Sequence, residues 1–541
     1  KNYIFIVDEA HRSTGAFNRK SNSYNFEDIQ KRFPHSGWVG YTGTPMFDDN
    51  TGRRSTRYIF GDCLHSYTIK DAIKDGNVLG FKVDFQETIP SGVLYEEELP
   101  AFYKKKYPDW DDKKIAKKIA NLSDDEMDDE LSKTPTVFDN NPKYVKAVVD
   151  DIFKHWKNRS NNGKYNALLT THVGGMKSSI GMAIMYYDEF QRVNMEHIEA
   201  NKSIADEDKK RIVLKVGITF SEDDSDRDGM VENNKALDRI ISDYNKMFGT
   251  SFDRTTMDNY REDLVTRLDK SADDKNYLDL VIVVNQLLTG FDAPQLNTLY
   301  VDRTLRGASL IQAYSRTNRV YNMQEKPWGQ IVNYRWPKLT EKLMNEALAE
   351  YSQKDNVNKP VVDIDPDDLG DILAKPFKEV LDETKRLAAE LRKQTEDFNR
   401  IPPSTQDQHK MLDTLKKYNS NLEKLKQYTL KTDENGEVIE GYDYDHPEKL
   451  IESLGMTEDE SMILTTTLTN ELKHVLAEKE EVTPSDIDLT VVHLKKVYVD
   501  YNYLTELISQ LMNEVHDDER EKAEKTREYI YKFATGLENP E

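Results

Sequence analysis

The sequence predicts an α/β protein with parallel sheets in its first part and an all-helical region after them. Three observations predict it. Short continuous apolar runs, the mark of strands buried in parallel sheet, end in polar loops: Tyr3–Val7 runs into Asp8-Glu9-Ala10-His11, and Trp38–Tyr41 into Thr42-Gly43-Thr44-Pro45. Such runs alternate with amphipathic helical stretches, as βα units do. Past Pro337 strand signals nearly vanish, and apolar residues recur at three- and four-residue spacing.

Taken in order, Ile69–Lys74 reads as a helix and Phe81–Phe85 as a strand, which with the first two runs fit the back half of an α/β domain over residues 1–93. Residues 94–141 alternate acidic and basic clusters around sparse apolar positions and read as a charged helical insert or linker. A second α/β domain is expected over 142–340, with helices at Tyr144–Trp156 and Lys177–Gln191 and strands at Asn166–Thr171 and Ile212–Phe220. An acidic loop follows at Glu222–Asp228, and a last strand is expected at Gln330–Tyr334. Between them Val281–Val284 ends in a turn carrying Thr289, Gly290 and Asp292, and Leu299–Val301 leads to a helix-like segment that spaces Gln312, Arg316 and Arg319 by four and three. Residues 341–364 read as a linker. Residues 365–541 read as a helical domain with helices at Phe377–Asn399, Gln408–Lys426, Glu458–Leu476 and Leu489–Val515. Thr457 and Glu460 have capping-box spacing, and Asn435-Gly436 within Thr432–Val438 suggests a hairpin turn or a tight loop.

Composition bounds the partners. The chain has 541 residues, enough for several domains, is 32% charged and carries a formal net charge of −23. That balance argues against a broadly basic nucleic-acid coat but leaves room for a narrow basic track, because phosphate contacts are local. Cys63 is the single cysteine, so no internal disulfide can form, and a reducing, cytoplasmic setting is expected. No run of about 20 apolar residues is present to cross a membrane. The first residues already read as a core strand rather than a signal peptide, so the chain is expected to be a fragment.

The chemistry sits at the strand ends. Asp8 at the end of a buried strand can hold Mg²⁺ through water, and Glu9 beside it can orient and deprotonate an attacking water. Thr42 and Thr44 stand where a neighbouring loop would sense that acidic pair; alone, Thr42–Pro45 is an ordinary turn. Arg316 and Arg319 suit charge growing on a transferring phosphate, with Gln312 one turn earlier on the same face, although two arginines on a helix are commonly a solvated surface. Gly290 permits close backbone approach. Asp292 could bond a ribose hydroxyl or one of the arginines, and Thr289 a nucleic-acid phosphate.

In this order the motifs resemble the superfamily-two helicases and translocases. Asp8–His11 resembles the DEAH box, Thr42–Thr44 motif III, Leu288–Pro294 motif V and Gln312–Arg319 motif VI with its arginine finger. The wording VDEAHRS, GYTGTP, LLTGFDAP and LIQAYSRTNRVYN closely resembles the restriction (R, motor) subunit of Type I restriction–modification enzymes. The resemblance implies the remnant of a first RecA-like motor domain, a complete second RecA-like domain, and a helical C-terminal domain for subunit assembly. It implies ATP and Mg²⁺ as cofactors, with Asp8, His11, Thr42, Thr44, Gly290, Asp292 and Gln312 at the nucleotide and Glu9, Arg316 and Arg319 catalytic. It also implies translocation of double-stranded DNA before cleavage at distant sites, with modification and specificity subunits as partners. Thr289 and the end of the Asn166–Thr171 strand, Thr170 and Thr171, are the expected DNA contacts.

No GxxxxGK[ST] loop occurs: Lys164 is followed by Tyr165, and Met176 separates Gly175 from Lys177. Without it, backbone amides and a lysine cannot cradle the phosphates. In the family that loop and the nuclease lie upstream of the DEAH box, so the isolated chain is expected neither to hydrolyse ATP nor to cut DNA. A stand-alone helicase or repair translocase of the same superfamily and a non-enzymatic assembly fragment are the alternatives.

Overall fold

The computed structural model describes residues 3–13, 17–18, 23–46, 55–133, 137–171, 179–202, 212–219, 230–284, 287–288, 292–352, 369–370, 372–433, 435–494 and 527. They fall into two compact units, Lys1–Glu383 with Glu423–Tyr444, and Thr384–Leu422 with Asp445–Glu541.

In the first unit β1 (Tyr3–Val7) is followed by the short antiparallel pair β2 (Phe17–Asn18) and β3 (Ser23–Tyr24), a helix at Asn25–Arg32, and β4 (Ser36–Gly40). β1 and β4 pair in parallel, Tyr3 opposite Ser36 and Val7 opposite Gly40. Aromatic packing holds them: Phe5 stacks on Trp38 at 4.1 Å between ring centroids. β1 differs from the buried strand its composition suggests. Ile4 is 78% and Ile6 73% exposed, because among the described residues β4 is its one neighbour and no layer covers that face.

The main sheet contains β5 (Gly80–Phe85), β6 (Asn166–Thr171), β7 (Val216–Thr219), β8 (Leu280–Val283), β9 (Leu296–Asp302) and β10 (Trp328–Asn333). The order is β5-β10-β9-β6-β8-β7, and every ladder is parallel. Alternation along the strands feeds two cores. Leu169, Ile282, Tyr300 and Val332 join the cluster with Val148, Ile152 and Tyr186, whereas Leu168, Val281, Leu299 and Ile331 join that with Tyr244 and Tyr260. Helices therefore cover both faces, and the strands read as uninterrupted apolar runs. The grouping of Phe81–Phe85 with the first strands is corrected: β5 pairs with β10, Trp328 opposite Gly80. Ladder hydrogen bonds join residues far apart in sequence, which local pattern does not encode.

The insert is helical, with helices at Leu99–Lys106, Asp112–Ile119 and Asp124–Ser132. The helix at Pro142–Arg159 starts as its residues dictate, Asn141 capping the amides of Lys143 and Tyr144 and Pro142 in the first turn. β11 (Lys431–Thr432) and β12 (Val438–Glu440) form a hairpin, with Gly436 at φ +82°.

In the second unit, helices at Glu458–Ile463 and Thr469–Glu480 flank a wider helical turn, Leu464–Leu468. Thr457 and Glu460 form the expected capping box, and Glu460 also accepts from Arg392 at 2.6 and 2.8 Å. Leu489–Leu494 is not helical, contrary to the expectation for Leu489–Val515; residues 495–515 lie outside the described residues. Among the described residues no helix is long and apolar enough to cross a membrane.

Candidate active site

Two loops meet at the C-terminal ends of β1 and β4. Tyr41 N–H donates to Val7 O at 2.8 Å and Ala10 N–H to Tyr41 O at 2.9 Å, so the ladder continues past the strands. The close approach needs Gly40: a Cβ there would lie 2.9 Å from Ala10 Cβ. Glu9 takes a left-handed φ of +48°, and its N–H donates to Asp8 Oδ1 at 2.8 Å. This turn leaves Asp8 exposed and the Glu9 side chain 53% exposed, while Ala10 is fully buried.

His11 joins the loops to the second sheet. Its Nδ1 lies 2.8 Å from Thr42 Oγ1 and 3.2 Å from Glu9 Oε2. Thr42 Oγ1 also accepts from Thr44 N–H at 3.1 Å. From the helix Gly307–Tyr314, the Gln312 amide donates to His11 Nε2 at 3.0 Å and to Thr44 Oγ1 at 2.7 Å. With Nε2 accepting, the imidazole proton sits on Nδ1, facing Thr42 and Glu9. Tyr351 OH adds a further tie, donating to Pro45 O at 3.1 Å.

The two arginines are not on the helix, which corrects the expectation of one helical face. The helix ends at Tyr314; Arg316 N–H turns back to Ala313 O at 3.1 Å and Thr317 N–H to Tyr314 O at 3.0 Å. Beyond that turn Asn318 O accepts from Leu79 N–H at 2.8 Å, which draws the chain out of helical register. Arg316 Nε still donates to Gln312 O at 3.2 Å, so the guanidinium stays beside the network. Burial, then repulsion from Arg319, push its pKa below the ordinary value, against attraction from Asp292 and Glu9. Arg319 Nε lies 3.0 Å from Asp292 Oδ1 in a surface ion pair. Gly290 and Thr289 lie outside the described residues.

Residues 163–336 match the family described as Type I restriction enzyme subunit R domain 3, and residues 372–540 match Type I restriction and modification enzyme subunit R C terminal. Residues 1–116 match SWI2/SNF2 ATPase. The chain belongs to the Type I restriction enzyme R subunits. It is 31% identical over 537 residues to the SauCOLORF180P endonuclease subunit of Staphylococcus aureus (strain COL), covering 97% of this chain and 49% of that one. The SsaAORF53P endonuclease subunit of Staphylococcus saprophyticus is 33% identical over 66% of this chain and 33% of its own length. A solved fragment of a putative HsdR subunit from Vibrio vulnificus YJ016 aligns at 14% identity and a TM-score of 0.35, over 65% of this chain and 46% of that one. The R-subunit chain described here spans about half the length of the Staphylococcus aureus relative.

Two residues of this R subunit do not sit where DNA contacts would. Thr170 and Thr171 are fully buried, since β6 lies between β9 and β8 with helices on both faces, and Thr170 Oγ1 donates to Val284 O at 3.5 Å. The loop after them, 172–178, lies outside the described residues. One residue was not legible as part of the site. Lys326 is fully buried, and its Nζ donates to Pro294 O at 2.7 Å, Leu296 O at 2.9 Å and Arg319 O at 3.0 Å. It thereby binds the segment after Asp292 to the segment bearing Arg319. A lone lysine in a loop carries no sequence signal for that role.

Proposed function

We propose that this chain is the DNA-translocating ATPase portion of a Type I restriction enzyme R subunit, and that the phosphate-cradling loop and the nuclease belong to the part of the subunit that the chain does not span. The observation that carries this reading is the His11–Gln312–Thr44 network. It couples the acidic loop after β1 to the element leading into Arg316, as a motor needs if nucleotide state is to move one sheet against another.

In this reading Glu9 orients and deprotonates the attacking water, and His11 positions Glu9 through Nδ1. Arg316 and Arg319 stabilise negative charge growing on the transferred phosphate. Asp8 is exposed with one oxygen taken by Glu9 N–H, which fits a carboxylate holding a hydrated Mg²⁺ bound mainly by water and phosphate. Among the described residues no cluster of three potential ligands would hold a metal by protein groups alone. ATP with Mg²⁺ would supply the phosphoryl chemistry. Double-stranded DNA is the track, and the helical region docks on the modification and specificity subunits.

The test is DNA-stimulated ATP hydrolysis by the full-length subunit that carries this chain. Glu9→Gln and Arg316→Ala are each expected to lower kcat by about 10²–10³-fold or more, with little change in nucleotide binding. Unchanged turnover in both would sink the assignment.

A further inference from the structure

In a chain of net charge −23, the insert as a whole is acidic, with eight lysines against thirteen Asp and Glu over residues 94–141, yet one stretch of it concentrates positive charge. Residues 99–120 hold seven lysines (104, 105, 106, 113, 114, 117 and 118) against three aspartates (109, 111 and 112). All seven are exposed. Lys104 pairs with Asp112 at 2.8 Å and Lys106 with Glu130 at 3.1 Å, and Lys114 stands 4.6 Å over the Trp110 ring. Among the described residues Lys105, Lys113, Lys117 and Lys118 make no ion pair.

Helix electrostatics account for only part of this pattern: Lys117 and Lys118 lie in the last turn of Asp112–Ile119 and complement its dipole. Lysines at the C-terminal end of Leu99–Lys106 complement its dipole. Lys113 and Lys114, however, occupy the first turn of Asp112–Ile119, the positive end. Lys113/Lys117 and Lys114/Lys118 are like-charged i,i+4 pairs, which destabilise the helix that bears them. An anion lying along the helix would relieve both.

The insert is also fixed in place. Asp128 accepts from the amides of Lys338 at 3.1 Å and Leu339 at 3.2 Å, at the start of the helix after β10. Asp125 pairs with Lys342 at 2.7 Å, and Asp129 with Arg306, which caps the helix after β9, at 3.2 Å. All the main-sheet strands are parallel, so the insert sits at the C-terminal edge, the edge that also carries Gln312.

We propose that the helices Leu99–Lys106 and Asp112–Ile119 form a contact surface for the phosphate backbone of double-stranded DNA. This rests on the DNA-motor reading above and gives it a binding element. Lysines supply compact, mobile point charges, and neither helix carries an arginine to read base edges. Contacts of this kind carry no sequence information, which suits a motor that must pass any sequence.

The test is fluorescence anisotropy of the 541-residue chain with a labelled duplex of about 30 base pairs, repeated across salt concentrations. A quadruple Lys→Gln variant at 105, 113, 117 and 118 is compared with a control quadruple at the exposed Lys385, Lys393, Lys410 and Lys417. At about 0.9 per lost phosphate contact, the slope of log K against log salt is expected to flatten by up to roughly 3.6, with at least a tenfold loss of affinity near 0.1 M salt. The control is expected to stay within about twofold of the parent. The pairs K105Q/K113Q and K117Q/K118Q should each show about half the effect on the slope, which separates lost contacts from misfolding. If the quadruple variant tracks the control, this surface is not the contact and the motor reading stands. If the parent chain binds no duplex at all, this proposal falls, while the motor reading is decided by the ATP hydrolysis of the full-length subunit.

Discussion

Lys326 has three ammonium protons and gives each to a different backbone carbonyl, of Pro294, Leu296 and Arg319. Lys326→Met would leave those carbonyls buried without a donor, at roughly 1–3 kcal/mol for each that finds no water, so a loss of about 3 kcal/mol or more is expected in urea melts. Burial pushes the Lys326 pKa down to about 7. Between that value and the ordinary lysine range the unfolded chain binds more protons than the folded one. This group therefore makes stability rise as pH climbs from about 7 towards 10, and penalises the fold below it. Melts at pH 7 and pH 9 should show that slope in the parent and not in Lys326→Met. Gly329 is the second single-residue constraint. A Cβ there would stand 2.8 Å from the Thr317 carbonyl carbon, at the turn between Tyr314 and Arg319. Gly329→Ala is expected to cost about 1–3 kcal/mol and to displace the arginine segment, read as a lower melting temperature together with lower turnover.

At the scale of elements, Asp128 joins the insert helix Asp124–Ser132 to the helix after β10. It accepts from two backbone amides and, at 2.9 Å, from Tyr95 OH. Burial raises its pKa to about 6, opposed by those same hydrogen bonds. A carboxyl raised above its unfolded value favours the fold when protonated. Stability from this group is therefore greatest below about pH 4 and declines as pH rises to about 6. Asp128→Asn keeps an acceptor for both amides and is expected to remove that pH dependence with little loss of stability. Asp128→Ala should cost about 1–3 kcal/mol, measured by denaturant titration across pH 4–7. At the ends of β9 and β10 the buried Asp302 accepts from Tyr144 OH at 2.6 Å and pairs with Arg335, which also reaches Asp139 at 2.8 Å. Arg335→Met leaves two carboxylates facing that gap and is expected to destabilise the sheet edge by about 3–5 kcal/mol in the same titrations.

At the scale of the molecule, a cut at residue 365 looks natural in the sequence, because strand signals stop and helical periodicity takes over. The structure distributes the residues differently. Phe81 N–H donates to Ile372 O at 2.8 Å and Ala374 N–H to Phe81 O at 2.7 Å, and Asn158 Nδ2 donates to Tyr428 O at 3.0 Å and Tyr442 O at 2.9 Å. Residues 372–374 and 423–444 therefore belong with the main sheet. Deleting Asp365–Glu541 is expected to unfold or strongly destabilise the first unit. Deleting Asp445–Glu541 should leave that unit's cooperative melt in place, as followed by circular dichroism and limited proteolysis.

Much was legible because it is local. Periodicity of two against three to four separates strand from helix, and the alternating burial of Leu168 and Leu169 or Val281 and Ile282 follows from it. Motif residues placed next to one another, such as Asp8 and Glu9 or Thr42 and Thr44, stay together because the chain can turn in only a few ways after a strand. The sequence by itself thus determined a parallel α/β protein with a helical region, the family, and which side chains gather at the strand ends. Tertiary structure decided the rest: β5 beside β10, Thr170 and Thr171 inside the sheet, the helix ending at Tyr314, and Lys326 beneath the arginine segment. These depend on hydrogen bonds between residues distant in sequence and on which neighbour excludes water. Neither leaves a periodic trace in the residues that make them.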